Sequence, residues 1–300
     1  MEIWLVRHGQ TAENREKLIQ GHQEGKLSEI GISQAKSTGV RLAKETFDHI
    51  YSSDLGRTRE TLKYIVSFRK DSPSTTFTPL LREKSGGILE GKSASLWESK
   101  ALQAKMDIRK FRCENSESWD DVMVRAELFL KFLINKYIRK REVTITEQER
   151  KAGFIPLSIQ EPKLLTEPYE ENKLEEEKVQ KLDSLKPARK EVIRSSSCRR
   201  QRPKIFENEV SGIISKGRSD GVKKILVVTH GGFIMELFNV IAKKLLDEQP
   251  KLQNDTPNCS ITILRFSVVK NVMETKLKLE LVKRNDVSHL KAMFTERPCK

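Results

Sequence analysis

The sequence contains few cysteines, and no two of them are closely spaced. Four cysteines occur among 300 residues: Cys113, Cys198, Cys259 and Cys299, with no Cys-x-x-Cys pair. This scatter argues against a zinc site and against a disulfide scaffold, and it fits a reducing compartment. We therefore expect a cytoplasmic protein without a metal centre.

Long hydrophobic runs are also missing. No stretch of about 18 apolar residues exists, so no membrane-spanning helix is expected. Residues 1–3 are followed neither by a basic region nor by the long apolar core of a secretory signal. The sequence predicts a protein that neither crosses a membrane nor is secreted.

Charge, by contrast, is abundant. Charged residues make up 33% of the chain, and the formal net charge is +14. A basic balance suits an anionic substrate, nucleic acid or an acidic surface. The length allows one large domain or two smaller ones, with ample core for independent folding.

Residues 139–220 differ in composition from the rest of the chain. Hydrophobic periodicity disappears there, and charges of both signs crowd together. Such a segment buries too little apolar surface to offset chain entropy. We predict a largely disordered insertion, with some helix over 207–214, inside one domain formed by 1–138 and 221–300. Acidic neighbours offset the basic run at 186–204, which argues against nucleic-acid binding.

Hydrophobic periodicity predicts the other elements. Ser28 is expected to cap a first helix, and residues 119–137 carry apolar side chains at helical spacing. Residues 93–113 are expected to form a short basic helical stretch. Further strands are expected at 47–53, 75–81, 260–266 and 276–282, the second of them at a sheet edge because of Pro79.

Two short apolar runs each end in a histidine and a glycine. The first run covers residues 3–6 and the second covers 225–228. Both are too short for a helix and are typical of buried strands. The residues that follow are Arg7, His8 and Gly9 in one case, and Thr229, His230 and Gly231 in the other. Open α/β folds bind ligands at the carboxyl ends of their strands, so both histidines are candidate site residues.

An imidazole beside a guanidinium suits phosphoryl chemistry. A neutral imidazole can attack phosphorus and carry the phosphoryl group, while arginine binds phosphate oxygens in a fixed fork. For Arg7 and His8 alone, a solvated pair at a strand end stays an alternative. Thr11 and Asn14 add short hydrogen-bonding side chains just beyond.

Two later stretches add a cation and a carboxyl group. Residues 52–54 (Ser-Ser-Asp) are expected to cap a helix, and Arg57 lies in its first turn. A cation there opposes the helix dipole unless an anion shares the same helix end. Glu83 follows the predicted strand at 75–81, and a carboxyl beside a phosphate can protonate a leaving oxygen.

The order of these motifs resembles that of the histidine phosphatase, or phosphoglycerate mutase-like, superfamily. The matching stretches are Arg7–Asn14, Leu27–Gly31, Ser52–Thr61, Leu81–Gly91 and the strand that ends at His230. The resemblance implies a three-layer α/β/α sandwich with a mostly parallel sheet. Strand and helix alternation indicates the same class independently.

The resemblance also implies a role for each candidate residue. His8 would be the phosphorylated nucleophile, Glu83 the general acid, and Arg7, Arg57 and His230 the ligands of the phosphoryl oxygens. Substrate-binding groups are expected at Thr11, Asn14, Gln20, Gly21 and Gly231. On the residues alone, Gln20 fits an exposed loop equally well. No metal and no other cofactor is expected.

The implied substrate is a small phosphorylated metabolite. Residues 92–117 lack the long insert of phosphoglycerate mutases, and the motifs look most similar to the fructose-2,6-bisphosphatase-like members, which regulate glycolysis. One departure is Gly86, where many members carry tyrosine. Cations for a second phosphate are expected at Lys84, Lys92, Lys100, Lys105 and Arg109, and a solvated helix face is an equal alternative for the last three. A cofactor-dependent mutase and a catalytically quiet phosphate-binding module stay as alternatives, and the oligomeric state is open.

Overall fold

The computed structural model describes residues 1–139, 221–246, 255–270 and 275–291. Within them the strands are β1 (Glu2–Arg7), β2 (His49–Ser52), β3 (Thr75–Phe77), β4 (Lys224–Thr229), β5 (Ile261–Lys270) and β6 (Thr275–Asp286). They form one sheet in the order β3-β2-β4-β1-β5-β6. Strands β1 to β4 are parallel, whereas β5 and β6 are antiparallel to their neighbours. The mostly parallel sheet is as predicted.

The helices of the described ranges lie between and after these strands. They are α1 (Ala12–Glu16), α2 (Glu29–Leu42), α3 (Gly56–Val66), α4 (Ser95–Gln103), α5 (Trp119–Ile134) and α6 (Gly231–Ile241). Short 3-10 turns occupy Pro79–Leu81, Gly87–Leu89 and Ser288–Leu290, and π-helical turns extend α5 and α6 over Asn135–Arg139 and Ala242–Leu246. No helix in these ranges is long and apolar enough to cross a bilayer.

Alternation along the central strands builds the three layers. Ile3 and Leu5 of β1 pack in one apolar cluster with Phe129 of α5 and Phe233 of α6. The intervening Trp4 and Val6 point to the other face and pack with α2 and α3. Because successive strand side chains point to opposite faces, β1 is buried on both sides, which explains its unbroken apolar run.

Two predicted helix starts are confirmed by their caps. The side chain of Ser28 accepts from the Gly31 amide at the start of α2, and Ser118 forms a capping box with Asp121 at the start of α5. The prediction for α3 was wrong, because its N-cap is Leu55 and no side chain caps it.

Several predicted boundaries also differ from the observed ones. The strand predicted at 75–81 ends at Phe77, since Pro79 starts a 3-10 turn and proline cannot donate to a strand ladder. Its position at the sheet edge is confirmed. Of the basic stretch at 93–113, only α4 is α-helical, and β5 and β6 are longer than predicted.

The predicted insertion lies almost entirely outside the described residues, as does the helix expected at 207–214. The described residues up to 139 and those from 222 onward belong to one compact unit. Two of the four cysteines, Cys113 and Cys259, fall in the described ranges, and both are free thiols.

Candidate active site

The two histidines meet because their strands are neighbours in register. Arg7 at the end of β1 lies opposite Thr229 at the end of β4, so the next residue of each strand reaches the same edge. The rings of His8 and His230 are 5.2 Å apart between centroids, and both side chains are buried. The sheet thus brings together two residues that are 222 positions apart in the chain.

The hydrogen bonding of His8 fixes which ring nitrogen is open. Its Nδ1 lies 2.8 Å from the carbonyl oxygen of Gly9. A carbonyl can only accept, so Nδ1 carries the proton and Nε2 keeps its lone pair. Burial, together with the charges of Arg57 and Arg7, holds the pKa of His8 well below its ordinary value. The ring is therefore neutral and nucleophilic at neutral pH.

Two buried guanidinium groups face this histidine. Arg57 is 1% exposed and donates to the carbonyls of Gln23 at 2.6 Å and Gly21 at 2.9 Å. Arg7 donates to the Thr256 carbonyl at 2.5 Å. The Nε of each is buried and has no partner among the described residues. Since buried donors are nearly always paired, these two point to an anion.

Burial also lowers the pKa of both arginines, and for Arg57 the value falls to about 10. Both groups stay protonated at neutral pH, and the negative charge of Glu83 opposes the shift in each case. The positive charge of this site is therefore permanent under physiological conditions and partly balanced by Glu83.

Glu83 is held by two backbone amides. Its Oε1 accepts from Lys84 N at 2.9 Å and its Oε2 from Gly232 N at 3.0 Å. A Cβ on Gly232 would lie 2.1 Å from the carboxylate. A larger residue at this position would have to push the carboxylate aside, so the first turn of α6 and the acid are packed directly against one another.

His230 bonds to Ser53, a residue that the sequence predicted as part of a helix cap. Its Nε2 lies 2.9 Å from Ser53 Oγ, and Ser53 Oγ also accepts from Leu55 N at 3.4 Å. With the Ser53 hydroxyl donating to Nε2, Nδ1 carries the ring proton and is a donor. That Nδ1 is buried without a partner in the described part of the chain. Burial, followed by Arg57, keeps the pKa of His230 well below its ordinary value.

Thr11 and Asn14 form a capping box at α1. Asn14 Oδ1 also accepts from Asn258 Nδ2 at 3.2 Å, and Asn258 donates to the His8 carbonyl at 2.9 Å. These residues support the loop that carries His8. Their expected contact with substrate stays a prediction.

The remaining expected ligands lie near Arg57 or at the start of α6. Gln20 is buried, with Oε1 unpartnered among the described residues, so the exposed-loop interpretation was wrong. Gly21 gives its carbonyl to Arg57. Gly231 is buried as the first residue of α6.

The cations expected to hold a second phosphate are only partly available. Arg109 pairs with Glu236 at 2.8 Å and with Asp120 at 3.1 Å. The Lys84 ammonium lies 2.8 Å from the Trp97 ring centroid and donates to the Glu117 carbonyl at 3.1 Å. Both predictions are corrected: these two groups are bound within the protein. Lys92, Lys100 and Lys105 are exposed.

Neither Asn258 nor Arg125 was predicted from the sequence to support the site. Asn258 stands in a polar stretch before β5, and nothing local indicates its contact with the His8 loop. Arg125 lies in the apolar pattern of α5, where one arginine is typical of a solvated face. No group of three or more His, Cys, Asp or Glu side chains suited to a metal ion occurs in the ranges that the structure describes.

Comparison with known proteins identifies relatives of the first half of the chain. The family model of the histidine phosphatase superfamily (branch 1) matches residues 3–148. The fructose-2,6-bisphosphatase TIGAR of Bos taurus is 34% identical over 141 residues, which are 46% of this chain and 52% of that protein. The probable phosphoglycerate mutase GpmB of Yersinia pestis is 42% identical over 94 residues, covering 31% of this chain and 42% of that protein. The chain thus spans about half the length of these curated relatives or less.

A solved structure extends the likeness over nearly the whole chain. The phosphoglycerate mutase of Bacillus anthracis superposes with a TM-score of 0.54 at 17% identity, covering 97% of this chain and 95% of that one. At this identity the likeness shows the fold alone, a phosphoglycerate mutase-like α/β sandwich.

Proposed function

The family model of the histidine phosphatase superfamily matches residues 3–148, and from that match we propose that the protein is a phosphatase. It hydrolyses a small phosphorylated metabolite through a phosphohistidine on His8. The observation that carries this proposal is the state of His8: Nδ1 is tied to the Gly9 carbonyl, and Nε2 is open beside two buried guanidinium groups. A neutral imidazole beside fixed cations is what nucleophilic attack on a phosphate ester requires.

In the first step, the Nε2 lone pair of His8 forms a bond to phosphorus while the bond to the ester oxygen breaks. The Glu83 carboxylate takes up a proton when the negatively charged phosphate lies beside it and gives that proton to the ester oxygen, so the product leaves as an alcohol. The ring becomes positively charged, and the Gly9 carbonyl, which accepts from Nδ1 at 2.8 Å, faces that charge favourably.

In the second step, water attacks the phosphorus of phosphohistidine. The Glu83 carboxylate takes a proton from the water, the nitrogen–phosphorus bond breaks, and inorganic phosphate leaves with His8 neutral again. The same carboxyl thus acts first as an acid and then as a base, and the protein ends in its starting state.

The phosphoryl oxygens would be held by groups that now lack partners. Arg7 Nε, Arg57 Nε and His230 Nδ1 are all buried and unpartnered among the described residues. Such donors are preorganised, and each is worth roughly 10²- to 10³-fold in rate. We expect their main effect on kcat, since charge at these oxygens changes most in the transition state.

For the finer question of substrate, we propose a sugar bisphosphate such as fructose-2,6-bisphosphate. The support is the partial likeness to a protein named as a fructose-2,6-bisphosphatase. With Lys84 and Arg109 engaged elsewhere, a second phosphate would meet Lys92, Lys100 and Lys105, which are exposed. Exposed lysines contribute little each, so a modest preference over monophosphates is expected.

A mutase is the second candidate, since a relative that is 42% identical over 94 residues is named a probable phosphoglycerate mutase. A substrate panel separates the two. Fructose-2,6-bisphosphate, sugar monophosphates and 3-phosphoglycerate with 2,3-bisphosphoglycerate are each assayed for free phosphate and for isomerisation. Isomerisation of 3-phosphoglycerate that outpaces all hydrolysis would favour the mutase.

The phosphohistidine itself is tested with His8→Ala. Turnover is expected to vanish, while the wild-type protein, quenched during turnover, carries acid-labile and base-stable phosphate on His8. Unchanged turnover in the variant, or label on another residue, contradicts the mechanism. Binding of phosphate esters without any release of phosphate by the wild type would favour the quiet binding module.

A further inference from the structure

Residues Gly21, His22 and Gln23 link the two functional halves of the site. The carbonyls of Gly21 and Gln23 accept from the two terminal nitrogens of Arg57. Between them, His22 Nε2 lies 2.9 Å from the backbone carbonyl oxygen of Glu83. Gly21 and Gln23 therefore contact Arg57, the cation that would hold the phosphoryl group. His22, between them, contacts Glu83, the acid that would protonate the leaving oxygen.

The backbone of His22 is itself fixed. Its amide donates to Glu90 Oε1 at 2.8 Å, and the same oxygen accepts from Gly86 N at 3.0 Å. Glu90 thus joins the loop before Arg57 to the loop after Glu83. The carbonyl of Glu83 can only accept, so His22 Nε2 carries the proton of this hydrogen bond.

The other donor to the same carbonyl acts more broadly. Arg125 Nη2 reaches the Glu83 oxygen at 3.3 Å, while its Nη1 donates to the carbonyls of Leu80 and Arg82. Arg125 is also paired with Glu117 at 2.8 Å. It therefore holds the whole turn, and its loss would disturb the fold. The hydrogen bond from His22 reaches only the Glu83 carbonyl within that turn, and His22 Nε2 also lies 3.6 Å from Glu117 Oε2.

We propose that His22 is a positioning residue, which sets the distance between the phosphoryl group on Arg57 and the carboxyl of Glu83. This inference rests on the proposed phosphatase function. The carboxyl is held through Lys84 N and Gly232 N, so a displaced Glu83 backbone moves the acid relative to His8. A misplacement of about 1 Å can cost roughly 10²-fold in rate.

Two esters with different leaving groups provide the test. An aryl phosphate releases a stabilised phenolate that needs little protonation, whereas glycerol phosphate releases an alkoxide that depends on the acid. For His22→Leu, we expect kcat/KM on glycerol phosphate to fall about 10- to 100-fold and kcat/KM on the aryl phosphate to fall less than about 3-fold, because kcat/KM covers the steps up to phosphoryl transfer to His8 and not the later attack of water. The inhibition constant of inorganic phosphate should stay within about 2-fold, because the phosphate contacts remain.

The conservative variant is His22→Gln. Its amide nitrogen can take the place of Nε2 and donate to the Glu83 carbonyl, so both rates should stay within about 3-fold of the wild type. The matched control is His49→Leu. His49 lies at the amino end of β2, at the opposite end of the parallel strands from His8, and its Nε2 bonds to Thr76 Oγ1 at 2.8 Å. Its loss should leave the ratio of the two rates unchanged.

Equal losses on the two esters overturn the inference, and so does a glutamine variant as impaired as the leucine variant. Thermal melts accompany each assay. If His22→Leu loses its cooperative transition, His22→Asn replaces it, since asparagine is too short to reach the Glu83 carbonyl. A wild-type protein that cleaves neither ester overturns the proposed function and this inference with it.

Discussion

Replacing Lys84 with methionine should stabilise the protein below pH 7 and remove part of its pH dependence. Lys84 is 7% exposed, and burial lowers its pKa from 10.5 to about 7. The ammonium keeps the Trp97 ring and the Glu117 carbonyl as partners, but these do not replace the water it has lost.

The magnitude follows from linkage. The two pKa values differ by about 3.5 pH units. Because each pH unit is worth about 1.4 kcal/mol, this difference corresponds to about 5 kcal/mol. Between pH 10.5 and about 7, the unfolded chain carries a proton on Lys84 that the folded chain lacks. Stability is therefore lost as the pH falls through this window, and the loss is complete and constant below about pH 7.

Urea unfolding at pH 6, 7, 8 and 9 measures this directly. Methionine keeps the volume of the side chain and leaves the Glu117 carbonyl without its donor, at a cost of about 1–3 kcal/mol. We expect Lys84→Met to be about 2–4 kcal/mol more stable than the wild type at pH 6, with the difference shrinking toward pH 9. Lys100→Met, on the exposed face of α4, should change stability by less than about 0.5 kcal/mol at every pH. A Lys84→Met variant whose difference from the wild type does not vary with pH would refute the reasoning.

Three further outcomes are expected. Gly232→Ala should remain folded but lose at least about 10²-fold in kcat, because a Cβ would lie 2.1 Å from the Glu83 carboxylate; circular dichroism and kinetics check this, and an active variant would show that the acid can move aside. EDTA should leave the rate unchanged, because Arg7 and Arg57 supply the positive charge that a metal would otherwise provide; activity restored by magnesium or zinc would contradict this. Deleting residues 142–204, whose composition predicts disorder, should leave a cooperative melt and full turnover, and an insoluble product would place the segment in the core.

Local patterns in the sequence predicted the sheet and most of the residues that the structure brings together at its carboxyl edge. The apolar runs before His8 and His230 encode two central strands, and strands of equal design at one sheet edge bring both rings together. Arg57 was predicted as a site residue because a cation in the first turn of a helix needs an anion nearby, and it lies buried beside His8 while its role stays a prediction. These features could be predicted because the residues that determine each of them lie within a few positions of one another in the sequence.

Contacts between segments that lie far apart in the sequence could not be predicted from it. Ser53 was expected to cap α3, yet it bonds to His230, 177 positions away. Lys84 and Arg109 were expected to face a second phosphate, because their charge is visible in the sequence while Trp97 and Glu236 are not visible as their partners. A buried carboxylate on an apolar helix such as α6 gives no sign of where its counter-ion comes from.

The pairing of Arg109 with Glu236 has a consequence for the mobility of the segment after α4. Glu236 is fully buried on α6, the helix that begins beside His230, and Arg109 belongs to the segment after α4. Withdrawing Arg109 would strand a carboxylate in the interior, at a cost of about 3–5 kcal/mol. At tenfold per 1.4 kcal/mol, about one molecule in 10² to 10⁴ has this segment detached at any moment. The segment after α4 is thus held to α6 in nearly every folded molecule.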